Sequence, residues 1–304
     1  MSGFFVAGLI NMETTLAVDG FPIPYFPVRY PFFGIQTTVS GVGYNIAKAL
    51  VTLGDTVHFA SLIGKGDHAV LVRNALERDN IPDDLVLSAV DATAQSVIIY
   101  DPQGKRQIHT DLKNIQEYRY PESRAEPAIE DSGLAVICNV NFSRPLLAIA
   151  KKAGKWIATD VHALSNLEDE YNRDYMAAAQ ILFLSDESLP AGPEEIARQL
   201  MGRYGSEIIV IGLGEKGALL AVRKDNVIER VPAVTTRKVI NTIGAGDALF
   251  SAFLHSYQRT KNPYTAIRTA CVFASYKIGT KGAAEGFLTR QELGDWVRKS
   301  SQKE

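Results

Sequence analysis

The residues best suited to chemistry lie in two glycine-punctuated segments. The first is Asn241-Thr242-Ile243-Gly244-Ala245-Gly246-Asp247, followed directly by Ala248-Leu249-Phe250-Ser251-Ala252-Phe253-Leu254. Small residues at 244 to 246 let main chain pass close to a ligand, and the Pro-free apolar run behind them reads as a buried helix. A helix start offers about four unpaired N–H groups and roughly half a positive charge, which suits phosphate oxygens. Asp247 has two readings on spacing alone. Its carboxylate caps the helix, as Asp commonly does, or it stands beside a transferred group and takes a proton from an attacking hydroxyl.

The second segment is Ser40-Gly41-Val42-Gly43-Tyr44-Asn45-Ile46-Ala47, leading through Lys48 to Leu53 and stopping at Gly54. It reads as a glycine turn opening a short helix that a glycine closes. Asn45 can donate and accept, so it can hold a sugar hydroxyl, with Gly41 and Gly43 leaving room for the ring. Tight packing of the helix on a sheet explains the same glycines.

Together the two segments resemble the two signatures of the ribokinase-like (PfkB) carbohydrate kinase family. The likeness extends over most of the chain in order: Val6-Ala7-Gly8-Leu9-Ile10-Asn11-Met12-Glu13 as a first strand and its substrate-binding end, Ser61-Leu62-Ile63-Gly64, Ile208 to Gly217 as a nucleotide-side strand and turn, and Lys281-Gly282-Ala283-Ala284. The resemblance implies an α/β fold, a three-layer mostly parallel sheet with helices on both faces, plus a small β-sheet lid.

The elements agree with that architecture. From Ser132 onward, strand-like runs at 134–138, 156–160, 181–184 and 208–211 are separated or followed by helical candidates at 144–153, 194–204 and 262–277, a pattern that predicts a mostly parallel sheet. Repeated Pro between Phe21 and Phe33 forbids a helix there, so 14–38 is expected as loop and edge strand. Residues 94–100 and 105–110, joined by Asp101-Pro102-Gln103-Gly104, read as a hairpin. The expected division is an α/β body of residues 1–13, 39–92 and 112–304 and a lid of 14–38 and 93–111.

Composition bounds the partners. The 304 residues are 46% hydrophobic with a formal charge of -2 and no dense Lys/Arg run, so nucleic-acid binding has no electrostatic footprint. No stretch approaches the ~20 apolar residues of a membrane span. Cys138 and Cys271 are isolated and apolar in setting, which argues against a disulfide framework or zinc site and for a cytoplasmic protein. The apolar run 4–10 has no preceding positive charge and reads as a strand rather than a signal peptide.

Gly212-Leu213-Gly214-Glu215-Lys216-Gly217 matches a dinucleotide fingerprint literally, which raises a dehydrogenase. Such a fingerprint must open a helix, whereas 218–222 and 227–231 read as a β-hairpin. In the kinase reading the Gly214 to Gly217 turn lies against the nucleotide, as the resemblance implies.

For phosphoryl transfer the assignments are as follows. Asp247 is the base, and the Gly244, Ala245 and Gly246 amides stabilise developing charge. Carried over from the family, Asn11, Glu13, Gly41, Gly43 and Asn45 contact the acceptor. Gln95 and His109 either reach the substrate from the lid or are ordinary exposed hairpin polarity. Gly212, Gly214, Gly217, Thr242 and Gly282 lie on the nucleotide side. ATP and Mg2+ are implied, the metal bridging phosphates mainly through water. Three positions depart from the family. Glu13 stands where relatives usually carry Asp. Ser185-Asp186-Glu187-Ser188 replaces an Asn-x-x-Glu element, leaving Glu187 or Asp186 as water-mediated metal ligand or as helix-start cap. Asn241 replaces an Asp beside a monovalent-cation site, which predicts weak potassium activation. Asp160-Val161-His162 reads as a satisfied strand-end pair.

The leading function is an ATP-dependent kinase acting on a primary hydroxyl of a small sugar or ribonucleoside. The competitor is a non-catalytic sugar- or nucleoside-binding protein on the same scaffold. The resemblance implies a homodimer through the lid, because lid sheets with exposed apolar faces often pair in this family.

Overall fold

Strand β1 (Phe4–Ala7) is buried along its length and sends alternate side chains into two separate cores. Phe4 and Val6 enter one core while Phe5 and Ala7 enter the other, as the two-residue period of a strand covered on both faces requires. The computed structural model describes residues 3–301. After β1 the chain leaves the body to form β2 (Asn11–Ala17) and returns along β3 (Ile35–Ser40) into helix α1 (Val42–Thr52). β4 (Val57–Ile63), α2 (Asp67–Arg78) and β5 (Val86–Ser88) follow, and the hairpin β6 (Gln95–Tyr100) and β7 (Arg106–Asp111) leaves the body again.

Strand and helix then alternate through α3 (Glu122–Asp131), β8 (Leu134–Ile137), α4 (Pro145–Lys152), β9 (Ile157–Ala163), α5 (Arg173–Ala178), β10 (Ile181–Ser185), α6 (Pro193–Tyr204) and β11 (Ile208–Gly212). The hairpin β12 (Ala218–Val222) and β13 (Val227–Val231) precedes helices α7 (Ala245–Thr260), α8 (Pro263–Lys277) and α9 (Arg290–Ser301). The body sheet has the order β13-β12-β11-β10-β9-β8-β1-β4-β5. It is parallel except where β12 and β13 join. Helices α1, α2, α7 and α8 cover one face, and α3 to α6 cover the other. This is the expected three-layer body. The helix at 262–277 starts one residue later than expected, because Asn262 is its cap and accepts from the Tyr264 and Thr265 amides.

The lid is a separate four-stranded sheet in the order β3-β2-β6-β7. Its limits differ from those expected. Asn11 to Glu13 and Val39 to Ser40 pair in this sheet, and Thr14 to Ala17 lie in an interior strand rather than at an edge. The cause is the break after Ala7: a Cβ on Gly8 would stand 2.6 Å from the Cys138 sulfur and 2.7 Å from Gly43 Cα, so α1 seals the end of β1 and turns the chain outward. Residues 18–34 contain no helix or strand, in keeping with their prolines. Ile98 and Tyr100 of the lid pack on Ile243 and Ala283, which closes the sheet over the loop before α7. No helix among the described residues is long and apolar enough to cross a membrane.

The Gly212 to Gly217 stretch opens no helix. One 3-10 turn, Gly214–Lys216, leads straight into antiparallel β12. A Cβ on Gly217 would lie 2.1 Å from the Val231 carbonyl oxygen, so this glycine serves the close approach of β13.

Candidate active site

The loop before α7 is clamped to the segment after α8. The Ile240 and Asn241 amides donate to the Ile278 carbonyl at 2.8 and 3.3 Å. Gly244 has φ 73°, and a Cβ there would stand 2.6 Å from the Ala283 carbonyl oxygen, conditions that only glycine meets. Gly244 is the N-cap of α7, with no side chain capping the helix. The Ala245 amide donates to the Thr242 carbonyl at 3.2 Å, so one of the three amides expected to face a ligand is engaged inside the loop. Gly246 is open, with no atom within 4 Å of where its Cβ would be.

Asp247 follows in the first turn, and its carboxylate does not cap. Oδ2 accepts from Asn45 Nδ2 at 2.7 Å. The Ser40 hydroxyl lies 3.0 Å from Glu13 Oε2 and 3.2 Å from Asn45 Oδ1, and its single proton serves one at a time. A polar relay therefore joins Glu13 of β2, Ser40 of β3, Asn45 of α1 and Asp247 of α7. Asp247 is only 9% exposed. Burial pushes its carboxyl above the ordinary range and Asp160 adds to the rise, while the Asn45 bond, His162 and Lys277 oppose it. Burial likewise raises Glu13, against the Ser40 bond and Lys277, with Asp247 reinforcing the rise. The surroundings of Asp247 are thus polar and charged.

Asn45 was expected to hold the acceptor, and here it orients Asp247. Gly41 (φ 109°) and Gly43 were expected to leave room for a sugar ring. Instead their Cβ positions would fall 2.6 Å from Leu9 O and 2.4 Å from Gly8 C, so main chain fills that space. Asn11 donates to Ser96 Oγ at 3.0 Å. Its Oδ1 and the Glu13 Oε1 are buried without a hydrogen-bond partner. Gln95 bonds His68 Nδ1 at 3.2 Å, and both it and His109 alternate to the lid face opposite Ser96. Neither joins the Asn11–Glu13 cluster. A cavity of about 550 Å³ opens along the β3 edge between Thr37, Lys48, Asn74, Arg78 and Glu285, and Asp247 does not line it.

Two cations escaped the sequence reading. Arg106 of β7 donates to Thr242 Oγ1 at 3.0 Å and to Glu187 Oε1 at 3.1 Å, tying the lid to both. Lys277, at the end of α8, is fully buried and donates to the Ile243 carbonyl. An arginine in a polar hairpin and a lysine closing a helix are ordinary surface patterns, so neither carries a local signal. Asp160 and His162 form the expected strand-end pair, the His162 amide donating to Asp160 Oδ1 at 2.8 Å, and their charges reach Asp247. Of the residues expected on the nucleotide side, Gly212 accepts from the Asp186 amide at 2.9 Å, and Gly282 donates to Glu285 Oε2 at 3.0 Å. Among the described residues no group of three or more His, Cys, Asp or Glu could hold a metal ion.

A ribokinase-like α/β body with a β lid closed over a glycine-rich helix start defines a class of small-molecule kinase. The pfkB family carbohydrate kinase model matches residues 1–290, and the chain belongs to that family. It is 23% identical to an acarbose 7(IV)-phosphotransferase of Actinoplanes sp., over 95% of this chain and 96% of the relative. Among solved structures, a microbiome-derived acarbose kinase, Mak1, superposes with TM-score 0.87 at 24% identity, covering 98% of this chain and all of the other. An Arabidopsis thaliana ribokinase complexed with ribose and ATP superposes with TM-score 0.80 at 19% identity, covering 98% and 99%.

Proposed function

We propose that this carbohydrate kinase transfers the γ-phosphoryl group of ATP to a primary hydroxyl of a small sugar or ribonucleoside, with Asp247 as general base. The observation that carries the proposal is the buried, non-capping Asp247 carboxylate in the first turn of α7, oriented by Asn45. The acceptor proton passes to Asp247 as the hydroxyl oxygen attacks phosphorus and the bond to the ADP oxygen breaks. The α7 amino end and the Gly244 to Gly246 turn favour the negative charge on the group in flight. The unpartnered oxygens of Asn11 and Glu13 suit acceptor hydroxyls as donors, because a buried oxygen without a partner is costly until a donor arrives. The solved relative that holds ribose and ATP supports the same pairing of substrates.

Mg2+ fits the donor set as a phosphate-bound ion. No protein cage exists among the described residues, and Glu187 or Asp186 would meet it through water. Glu187 is 63% exposed and paired to Arg106, so it is free to exchange that partner. Two buried free thiols, Cys138 and Cys271, suit a reducing cytoplasm. The exposed aromatics of 21–33 and the lid edges suit a homodimer formed through the lid.

The test is ADP release over a panel of pentoses, hexoses and nucleosides, for wild type and Asp247→Asn. The variant is expected to lose about 10²- to 10⁴-fold in kcat while acceptor binding, read by calorimetry, changes little. A near-normal kcat in the variant rejects the base assignment. A wild type that binds acceptor yet releases no ADP favours the non-catalytic reading.

A further inference from the structure

Lysine is almost never fully buried without a specific partner, yet Lys277 has no exposed surface. Its ammonium donates to the carbonyl of Ile243, the residue directly before the Gly244 turn. The charged groups that act on it come from every side: Asp247 of α7, Glu13 of β2, Glu285 beyond α8, and Arg237 on the approach to the loop. Burial brings its pKa down to about 8; the three carboxylates resist that fall and Arg237 assists it. The three carboxylates around it favour the charged ammonium.

A second donor serves the same clamp. Asn241 Nδ2 donates to the Lys281 carbonyl, and Asn241 Oδ1 accepts from the Ile243 amide at 3.0 Å. A carboxylate at 241 would accept from Ile243 equally well and could not donate to Lys281. Main-chain carbonyls gathered beside carboxylates are ligands for a hard cation. Here the carbonyls of Ile243 and Lys281, one on each segment of the clamp around Gly244, are each met by an N–H donor of the chain itself.

Resting on the kinase reading above, we propose that Lys277 is a built-in monovalent cation: its ammonium, with the Asn241 amide, replaces a free ion beneath the anion loop, so that turnover needs no potassium. Lys277 is a positioning residue. It acts through the Ile243 carbonyl on the Gly244 to Gly246 turn, and it offsets the charge of the buried Asp247 and Glu13.

The test measures kcat and KM of the full chain in tetramethylammonium buffer, with potassium, ammonium or methylammonium chloride added. Wild type is expected to change by less than about twofold on adding any of them, and Lys277→Ala to lose about tenfold or more in kcat with acceptor KM little changed. Ammonium or potassium should restore much of the loss in Lys277→Ala, and none in Lys277→Met, whose side chain fills the space. A wild type that demands potassium, a Lys277→Ala that loses nothing, or a loss that no small cation repairs overturns the proposal. Should Lys277→Ala fail to fold, wild type alone decides. Its kcat should fall as pH rises through about 8 without recovery on added potassium, because the neutral side chain still fills the space, whereas a flat profile, or a fall that potassium repairs, overturns the proposal. Absence of wild-type turnover with every acceptor overturns the kinase reading and this inference with it; potassium-dependent turnover overturns only the inference.

Discussion

At the scale of single residues, Asp247 sets a cost against a use. An ionised carboxylate withdrawn from water is unfavourable unless fully paired, and the one side-chain hydrogen bond found for this one comes from Asn45. Because burial raises Asp247 and Glu13, the folded state holds their protons more tightly than the unfolded chain does. Their contribution to stability is therefore most favourable below the ordinary values of 3.8 and 4.5, and it is lost as pH rises through the raised folded values. Asp247→Asn, which keeps the shape and removes the charge, should raise Tm at neutral pH by roughly 2–4 °C while lowering kcat by the about 10²- to 10⁴-fold expected above. Scanning calorimetry of the two proteins checks this. An unchanged or lower Tm would mean that the buried charge is better compensated than the polar relay suggests.

At the scale of elements, function depends on two joints. The first is the clamp between the loop before α7 and the segment after α8, where Gly244 fits against Ala283 and Asn241 bonds the Lys281 carbonyl. The second is the contact of the lid hairpin with that loop. Ile98 and Tyr100 supply apolar packing, and Arg106 spans Thr242 and Glu187. The Arg106–Glu187 pair is 31% and 63% exposed, so its contribution is about 0–1 kcal/mol after solvent screening. It biases the lid toward closure without locking it. Arg106→Gln should accordingly speed hydrogen exchange of the β6–β7 amides by no more than about fivefold, with β8 to β11 unchanged. Exchange that spreads into the body strands would show that the hairpin is part of the core rather than a hinged cover.

At the scale of the whole molecule, the most exposed apolar groups collect in one place. Tyr25 is 89% and Phe33 97% exposed, and Phe26, Tyr30 and Phe32 lie in the same Pro-rich segment between β2 and β3. Scattered exposed apolar residues are ordinary, but a run of aromatics on one connection marks an interaction surface. Sedimentation equilibrium should report a dimer at micromolar concentration, and Phe32→Ser with Phe33→Ser should return it to monomer without lowering Tm by more than about 1–2 °C. A wild type that stays monomeric across that range removes the dimer.

Local pattern alone carried the architecture. Strand period, the bounds of α4, α6 and α8 within a residue, the β-hairpin after Gly217 and the glycine at the start of α7 were legible, because each depends on neighbours a few positions apart, whereas α2, α3, α5 and α9 gave no comparable signal. The lid was legible as an extra sheet, but its edges were not, since the turn at Gly8 is forced by Cys138 and Gly43 from elsewhere in the chain. The glycines at 41 and 43 were legible as close-approach positions, while what approaches them was not. Sequence by itself determined that there is an α/β body, a cover, and a small-residue loop ending in a carboxylate. Only the tertiary structure decided that Asn45 holds that carboxylate, that Arg106 closes the cover and that Lys277 lies beneath the loop. Hydrogen bonds and charge pairs between residues tens to hundreds of positions apart leave no periodic trace, and a buried cation is written with the same letter as an exposed one.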